Sequence, residues 1–189
     1  MRHSSAAADP NSNKLGRAVQ LEMNARQMGK KSDAPAHVKE FADELEKAYE
    51  KVYDIQFKNG VEGITGTNRL KHYMHQSWEE GSVLEALKEI GNYNMERLIY
   101  KSLTSRNPDA EPAVALTQAQ SIISRIRKNA DRADGHTKWS VLSDGDYINE
   151  RSLHLDLSVS IQHKGKEYSL LDLMSNDVVT DATKYSKKA

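Results

Sequence analysis

The sequence predicts a mainly α-helical protein: a bundle-like helical region followed by a small β-hairpin region. Apolar residues recur at steps of three and four along most of residues 1–134, as they do on one face of an α-helix. Near residues 152–170 apolar and polar side chains alternate instead, which is typical of a half-buried strand. We therefore expect a helical region over residues 1–134. A hairpin-containing region over residues 135–189 should continue into a further helix.

The composition limits both the core and the chemistry of the chain. Of its 189 residues 38% are hydrophobic and 29% are charged, and 27 basic residues balance 27 acidic ones. Such a sparse apolar content favours a chain that buries part of its surface against another molecule. The absence of cysteine excludes disulfides, thiol catalysis and Cys-ligated zinc. No apolar run is long enough to cross a membrane as a helix.

The first two helices are predicted from their end signals and their periodicity. Capping residues at 11–13 precede the first helix, and Gly29 ends it. Pro35 opens the second helix, which Asn59-Gly60 ends. This helix has the clearest pattern in the sequence, with charged residues on the face opposite a regular apolar stripe. We expect the stripe to be buried as a packing or interface surface, and its members are Phe41, Leu45, Tyr49 and Val52.

Later helices are predicted between glycine and proline signals. Thr67 is expected to cap a third helix that runs through Trp78 and ends at Gly81. Ser82 and Glu85 have the spacing of a capping box, which predicts a new helix that Gly91-Asn92 bends or breaks. A turn at residues 107–112 leads into a last helix that starts at Pro112.

The hairpin region is predicted from alternation and a turn. The first strand is expected over residues 153–161, where five apolar residues alternate with polar ones, including Asp156. A turn at residues 163–166 would join it to a second strand over residues 167–170. A further element is expected to begin near Asp177.

Few residues suggest site chemistry. His72, His75, Glu79 and Glu80 lie close in sequence, but their spacing does not match a zinc-protease motif, and the acids at residues 131–146 do not match a calcium loop. We therefore predict no metal, no cofactor, no small-molecule substrate and no catalytic residue. The last helix carries basic side chains that can contact nucleic acid, although a solvated or protein-facing surface is the alternative. They are Arg125, Arg127, Lys128 and Arg132.

One stretch supports a resemblance. Residues 155–168, which contain Leu155-Asp156-Leu157-Ser158-Val159 and Lys164-Gly165-Lys166-Glu167-Tyr168, and residues 171–177, Leu-Asp-Leu-Met-Ser-Asn-Asp, resemble a segment of the very large internal virion proteins of short-tailed bacteriophages. Such proteins are ejected with the genome and form a conduit across the host envelope. The resemblance implies that the chain is a portion of a longer protein. It also implies a location in the virion interior, and in the host periplasm or envelope after ejection.

The expected function is therefore structural. The chain would assemble through protein–protein contacts with copies of itself and with other internal virion proteins, and it would meet the host envelope after ejection. DNA is a further candidate partner. Some members of the family carry a peptidoglycan-cleaving transglycosylase domain, but no matching catalytic motif is present here. Two alternatives stay open: a protein associated with peptidoglycan degradation through acids such as Glu79 and Glu80, and a DNA-contacting virion protein.

Overall fold

The computed structural model describes residues 10–61, 71–74, 76–130, 138–140 and 155–175. Four α-helices dominate this part of the chain: α1 (Pro10–Gln27), α2 (Ala36–Lys58), α3 (Glu80–Arg106) and α4 (Pro112–Ala130). Two short antiparallel strand pairs accompany them: β1 (Ser77–Glu79) with β2 (Lys138–Ser140), and β3 (Ser160–His163) with β4 (Lys166–Ser169). The predicted fold class, mainly α with a small hairpin near the carboxyl end, is confirmed.

The helices pack mainly as two hairpins, α1 with α2 and α3 with α4. A cluster of charges fastens the first hairpin. The Arg26 guanidinium of α1 donates to Glu22 Oε1 at 2.7 Å, to Asp43 Oδ1 at 2.6 Å and to Glu46 Oε2 at 3.3 Å. Because Asp43 and Glu46 lie on α2, this one side chain ties the two helices together.

Helices α1 and α2 end just before the glycines that were predicted to end them. Gly29 has φ 62°, and the Lys30 N–H donates back to the Ala25 carbonyl at 2.9 Å. Gly60 also has φ 62°, and the Val61 N–H donates to the Gln56 carbonyl at 3.0 Å. A left-handed residue is needed to turn the chain back in this way, and glycine adopts that conformation without steric cost.

The prediction of a third helix is wrong for residues 71–74 and 76–79, which are the described residues between the predicted cap and the start of α3. Residues 71–74 form a turn and an irregular segment, in which His72 has φ 57°, and Ser77–Glu79 forms strand β1. The helix begins instead at Glu80, two residues before the predicted cap. Pairing of β1 with β2, and of Trp78 with Met174, overrides the local helical periodicity.

A kink divides α3 at the predicted position. Gly91 has φ 72° and ψ 169°, which interrupts the helical backbone. Only glycine adopts this combination without strain, so the kink follows from the residue type. The last helix starts at Pro112, as predicted, and its proline occupies the first helical position, where the missing N–H costs nothing.

The predicted first strand of the hairpin is wrong over residues 155–159, which form an irregular segment with a turn. Strand β3 is confined to Ser160–His163, and β4 follows after the turn at Lys164 (φ 50°) and Gly165 (φ 78°). Two successive left-handed residues are typical of the tightest hairpin turns. Leu153, the boundary expected near residue 134 and the element expected near Asp177 lie outside the described residues.

Residues 155–175, hereafter the strap, complete one hydrophobic core with both helical hairpins. After β4 the strap ends in a short 3-10 helix, Leu170–Leu173. Leu155, Leu157 and Leu170 are fully buried and belong to the same cluster as the apolar residues of all four helices. The strap therefore belongs to the core itself. None of the helices in the described part of the chain has the length and hydropathy needed to cross a membrane.

Candidate functional site

The apolar stripe of α2 faces the core of its own chain. Leu45 and Tyr49 are buried, and Phe41 and Val52 are partly buried against the same cluster. The Tyr49 ring meets the Tyr73 ring edge-on, with 5.2 Å between the ring centroids. The stripe thus fixes α2 to α1 and to the segment that precedes β1.

The basic residues of α4 differ in their exposure. Arg127 and Lys128 are exposed in the last part of the helix, whereas Arg125 is partly buried. Arg132 lies outside the described residues. Among the described residues, Arg127 and Lys128 are therefore the two predicted cations that are exposed to solvent.

The acidic and histidine residues considered as metal ligands or acids are only partly described. His72 Nδ1 lies 2.8 Å from Glu46 Oε1, and the Gln27 amide donates to the His72 carbonyl. Glu80 is fully buried at the start of α3, and His75 lies outside the described residues. Within the described ranges no three His, Cys, Asp or Glu side chains are grouped closely enough to hold a metal ion.

The sequence did not indicate the most elaborate polar site, which surrounds Asp156 in the strap. Its carboxylate is fully buried and accepts hydrogen bonds at both oxygens. Oδ1 accepts from Asn24 at 2.9 Å and from the Ser158 N–H and hydroxyl at 3.0 and 2.6 Å, and Oδ2 accepts from the Ser105 hydroxyl at 2.6 Å. The Lys30 ammonium lies 3.6 Å from Oδ2. Four hydrogen-bond donors from α1, α3 and the strap, and one ammonium from the turn after α1, thus converge on one carboxyl group.

These contacts keep Asp156 ionised. Burial alone raises the pKa of Asp156, but the hydrogen bonds from Ser105, Ser158 and Asn24 outweigh it, and the net effect lowers the pKa well below its ordinary value. A buried carboxylate that is fully hydrogen-bonded acts as a structural anchor. It is a poor proton donor or acceptor, and the site therefore suits the positioning of the strap better than acid–base catalysis.

Two carboxamides hold the backbone on either side of this carboxylate. Gln76 accepts from the Leu155 N–H and donates to the Leu155 carbonyl, both at 3.0 Å. The Asn24 side-chain oxygen accepts from the Leu157 N–H at 3.0 Å. An amide side chain can donate and accept at once, so it replaces the neighbouring strand that residues 155–159 lack. Hydrogen bonds from these two side chains therefore pair the backbone N–H and carbonyl of Leu155 and the N–H of Leu157, although the segment is irregular and buried.

An exposed groove lies between α3 and α4. Its volume is about 320 Å³. Tyr93 at its rim is 71% exposed and Leu116 is 41% exposed, although both are large and apolar or aromatic. The Arg97 guanidinium lies 5.9 Å from the centroid of the Tyr93 ring, where a cation–π contact keeps it beside the groove. The groove, as the term is used below, is lined by Tyr93, Glu96, Arg97, Tyr100, Pro112, Ala113 and Leu116.

Sequence reasoning missed this groove because it depends on which faces of two helices come together.

Comparisons of the chain with protein-family models, with curated proteins and with solved structures found no match. The structural features that bear on function are therefore the groove and the anchored strap. Exposed aromatic and aliphatic side chains beside an arginine are typical of surfaces that contact another protein.

Proposed function

We propose that this chain is a structural component of the internal core and DNA-ejection apparatus of a short-tailed bacteriophage. It assembles with copies of itself and with other internal virion proteins, and helps to form a conduit across the host envelope. The chain resides in the virion interior and passes to the host periplasm and envelope on ejection. The resemblance of residues 155–177 supplies this biological setting, and the exposed groove supports assembly through protein contacts.

The observation that carries the proposal is the exposure of Tyr93 and Leu116 in the groove. Each Å² of apolar surface that stays in water forfeits roughly 25 cal/mol that burial would recover. Burial of this surface by a second copy of the chain would recover that free energy.

Sedimentation velocity over a range of concentrations tests the proposal. The wild-type chain should form oligomers, and the double variant Tyr93→Ser with Leu116→Ser should shift the equilibrium strongly toward monomer. Val114→Ser is the matched control, because Val114 is 48% exposed but does not line the groove. Equal association of the wild type and the double variant would overturn this role of the groove. A wild-type chain that stays monomeric and ignores other internal virion proteins would overturn the proposal itself.

The peptidoglycan alternative requires acidic side chains that a glycan can reach. A glycosidase needs one acid and one carboxylate on opposite sides of a bound sugar, both within reach of the glycan. Glu80 is fully buried, so its carboxyl group does not meet a polymer in this conformation. Clearing of a peptidoglycan suspension by the purified chain, abolished by Glu80→Gln, would replace the structural proposal with an enzymatic one.

DNA contact is the second candidate, and the adjacent exposed cations Arg127 and Lys128 favour it. Each phosphate contact that releases a counterion steepens the dependence of affinity on salt. Retention on duplex DNA should then weaken as salt rises, and Arg127→Gln with Lys128→Gln should reduce that slope by about 2. Retention that does not change with salt would contradict DNA contact through Arg127 and Lys128.

A further inference from the structure

The strap is held in the manner of a bound peptide. Side chains from other elements recognise its backbone: Gln76 pairs with Leu155, Asn24 accepts from the Leu157 N–H, and the Ser102 hydroxyl donates to the Asp156 carbonyl at 3.2 Å. Further along, the Lys101 ammonium donates to the Ser160 carbonyl at 2.9 Å, and the Gln20 amide donates to the Ser175 carbonyl. Side chains outside the strap thus hold its backbone at several positions, and hydrogen bonds to the main chain also contribute to the binding of peptides by proteins.

The site that receives the strap is specific for its sequence. We define the slot by the polar side chains that line it, namely Gln20, Asn24, Gln76, Ser102 and Ser105. Leu155 and Leu157 are fully buried there, and Asp156 between them meets Asn24 and Ser105. The slot is therefore complementary to an apolar–acidic–apolar triplet at this point. A segment with another sequence would bury an unpaired polar group or leave the Asn24 and Ser105 donors unsatisfied.

The connection between the strap and the helices is long enough to reach a neighbour. Strand β2 ends at Ser140, and the strap begins at Leu155. Fifteen extended peptide units span about 50 Å. A compact domain of this length has a radius of gyration of roughly 16 Å. Fifteen peptide units are therefore enough, when fully extended, to reach past the edge of one domain while β2 stays paired with β1.

We propose that copies of this chain exchange straps, so that the slot of one copy binds residues 155–175 of a second copy. Because the strap and the slot are the same in every copy, each hydrogen bond and apolar contact forms equally well within a chain or between chains. High local concentration then favours the exchanged form by mass action. This inference rests on the proposed self-assembly, and it identifies the strap and the slot as the surfaces that join the copies.

An engineered disulfide can report which copy fills the slot. The antiparallel bridge between Trp78 and Met174 places Ser77 opposite Ser175, and the Ser175 N–H donates to the Ser77 carbonyl at 2.8 Å. Directly opposed residues lie within the distance that a disulfide spans. Serine and cysteine are nearly isosteric, and the chain contains no other cysteine. Introduced thiols would therefore be the only ones present.

The experiment mixes two full-length versions of different mass, one with Ser77→Cys and one with Ser175→Cys, which are refolded together at assembly concentrations and oxidised. Exchange predicts a disulfide-linked product that contains one copy of each version. Ser175→Cys mixed with a Lys47→Cys version controls for random collisions, since Lys47 is exposed on α2. A doubly substituted version, Ser77→Cys with Ser175→Cys, should close within one chain in any monomer fraction.

The outcomes separate this inference from the proposed function. Oligomers in which the mixed versions do not crosslink above the Lys47→Cys control would overturn strap exchange and leave the self-assembly intact. A chain that stays monomeric at every concentration would overturn both. Failure of the doubly substituted version to close in either monomer or oligomer would show that the strap does not dock in this register, and the inference would also fall.

Discussion

Asn24 in α1 and Asp156 in the strap are 132 residues apart in sequence, yet the Asn24 amide donates to Asp156 Oδ1 at 2.9 Å in the core. The same Asn24 side chain accepts from the Leu157 N–H at 3.0 Å. Asp156 in turn accepts from Ser105 in α3. One carboxylate thus joins the first helical hairpin, the strap and the second helical hairpin, so their docking is coupled.

Asp156→Asn should destabilise the protein by about 2–4 kcal/mol at neutral pH, because an amide offers fewer acceptors and brings an N–H₂ group against existing donors. Urea unfolding followed by circular dichroism measures this change. Asp109→Asn is the control, since Asp109 is exposed in the turn between α3 and α4 and should change stability by less than about 0.5 kcal/mol. Equal losses from the two substitutions would contradict the anchoring role of Asp156.

The contribution of Asp156 should depend on pH with a definite sign. Its pKa is lower in the folded protein than in the unfolded chain, so the folded state binds its proton less readily. Its contribution is therefore fully present above the unfolded carboxyl pKa of about 3.9 and is lost as pH falls below that value. The stability difference between the wild type and Asp156→Asn should be smaller at pH 3 than at pH 7. A stability difference that is larger at pH 3 than at pH 7 would contradict a lowered pKa of Asp156 in the folded protein.

The two faces of α2 should respond differently to a negative charge. Leu45→Asp places an unpaired carboxylate in the core and should cost several kcal/mol. Lys47→Asp lies on the exposed face, where it removes only a solvent-screened pair with Glu44, and should leave the melting temperature nearly unchanged. Thermal unfolding of the two variants beside the wild type makes the comparison. Similar decreases in melting temperature would show that the buried face of α2 has been misassigned.

Two glycines at the kink and at the start of α3 provide a matched pair. Gly91→Ala should destabilise by about 1–3 kcal/mol, since φ 72° with ψ 169° strains any residue that carries a Cβ. Gly81→Ala, in the first turn of the same helix, should be neutral or stabilising by up to about 1 kcal/mol. Neither added methyl group meets a neighbour within 4 Å, so the contrast isolates the backbone. Equal effects in denaturant unfolding would contradict a kink that depends on glycine.

The parts of the fold that sequence predicted well are those fixed by local chemistry. The periodicity of α2 predicted which of its faces is buried, Gly29 and Gly60 predicted where two helices end, and Gly91 predicted the kink. Each of these features depends on side chains or backbone angles within a few residues of one another. Local pattern therefore contained the information that was needed.

The remaining features depend on residues far apart in sequence. Strand β1 has a helical pattern, but pairing with β2 and Met174 decides its conformation. Residues 155–159 alternate like a strand, yet Gln76 and Asn24 take the place of a pairing partner and draw Asp156 inside with the leucines. A period of two cannot distinguish a solvent-facing aspartate from one that meets buried donors. The slot was missed for this reason, and the groove was missed because it depends on which faces of α3 and α4 come together.

Native-state hydrogen exchange of the strap amides tests most directly whether the strap is an integral part of the core. The Leu155, Leu157 and Leu170 N–H groups donate to Gln76, Asn24 and the Val159 carbonyl, and all three residues are fully buried. Their opening free energies should fall within about 1 kcal/mol of those of Leu98 and Ile99 in α3, which are also buried and should open only with global unfolding. Rapid exchange of the three strap amides while Leu98 and Ile99 stay protected would contradict a core that the strap completes.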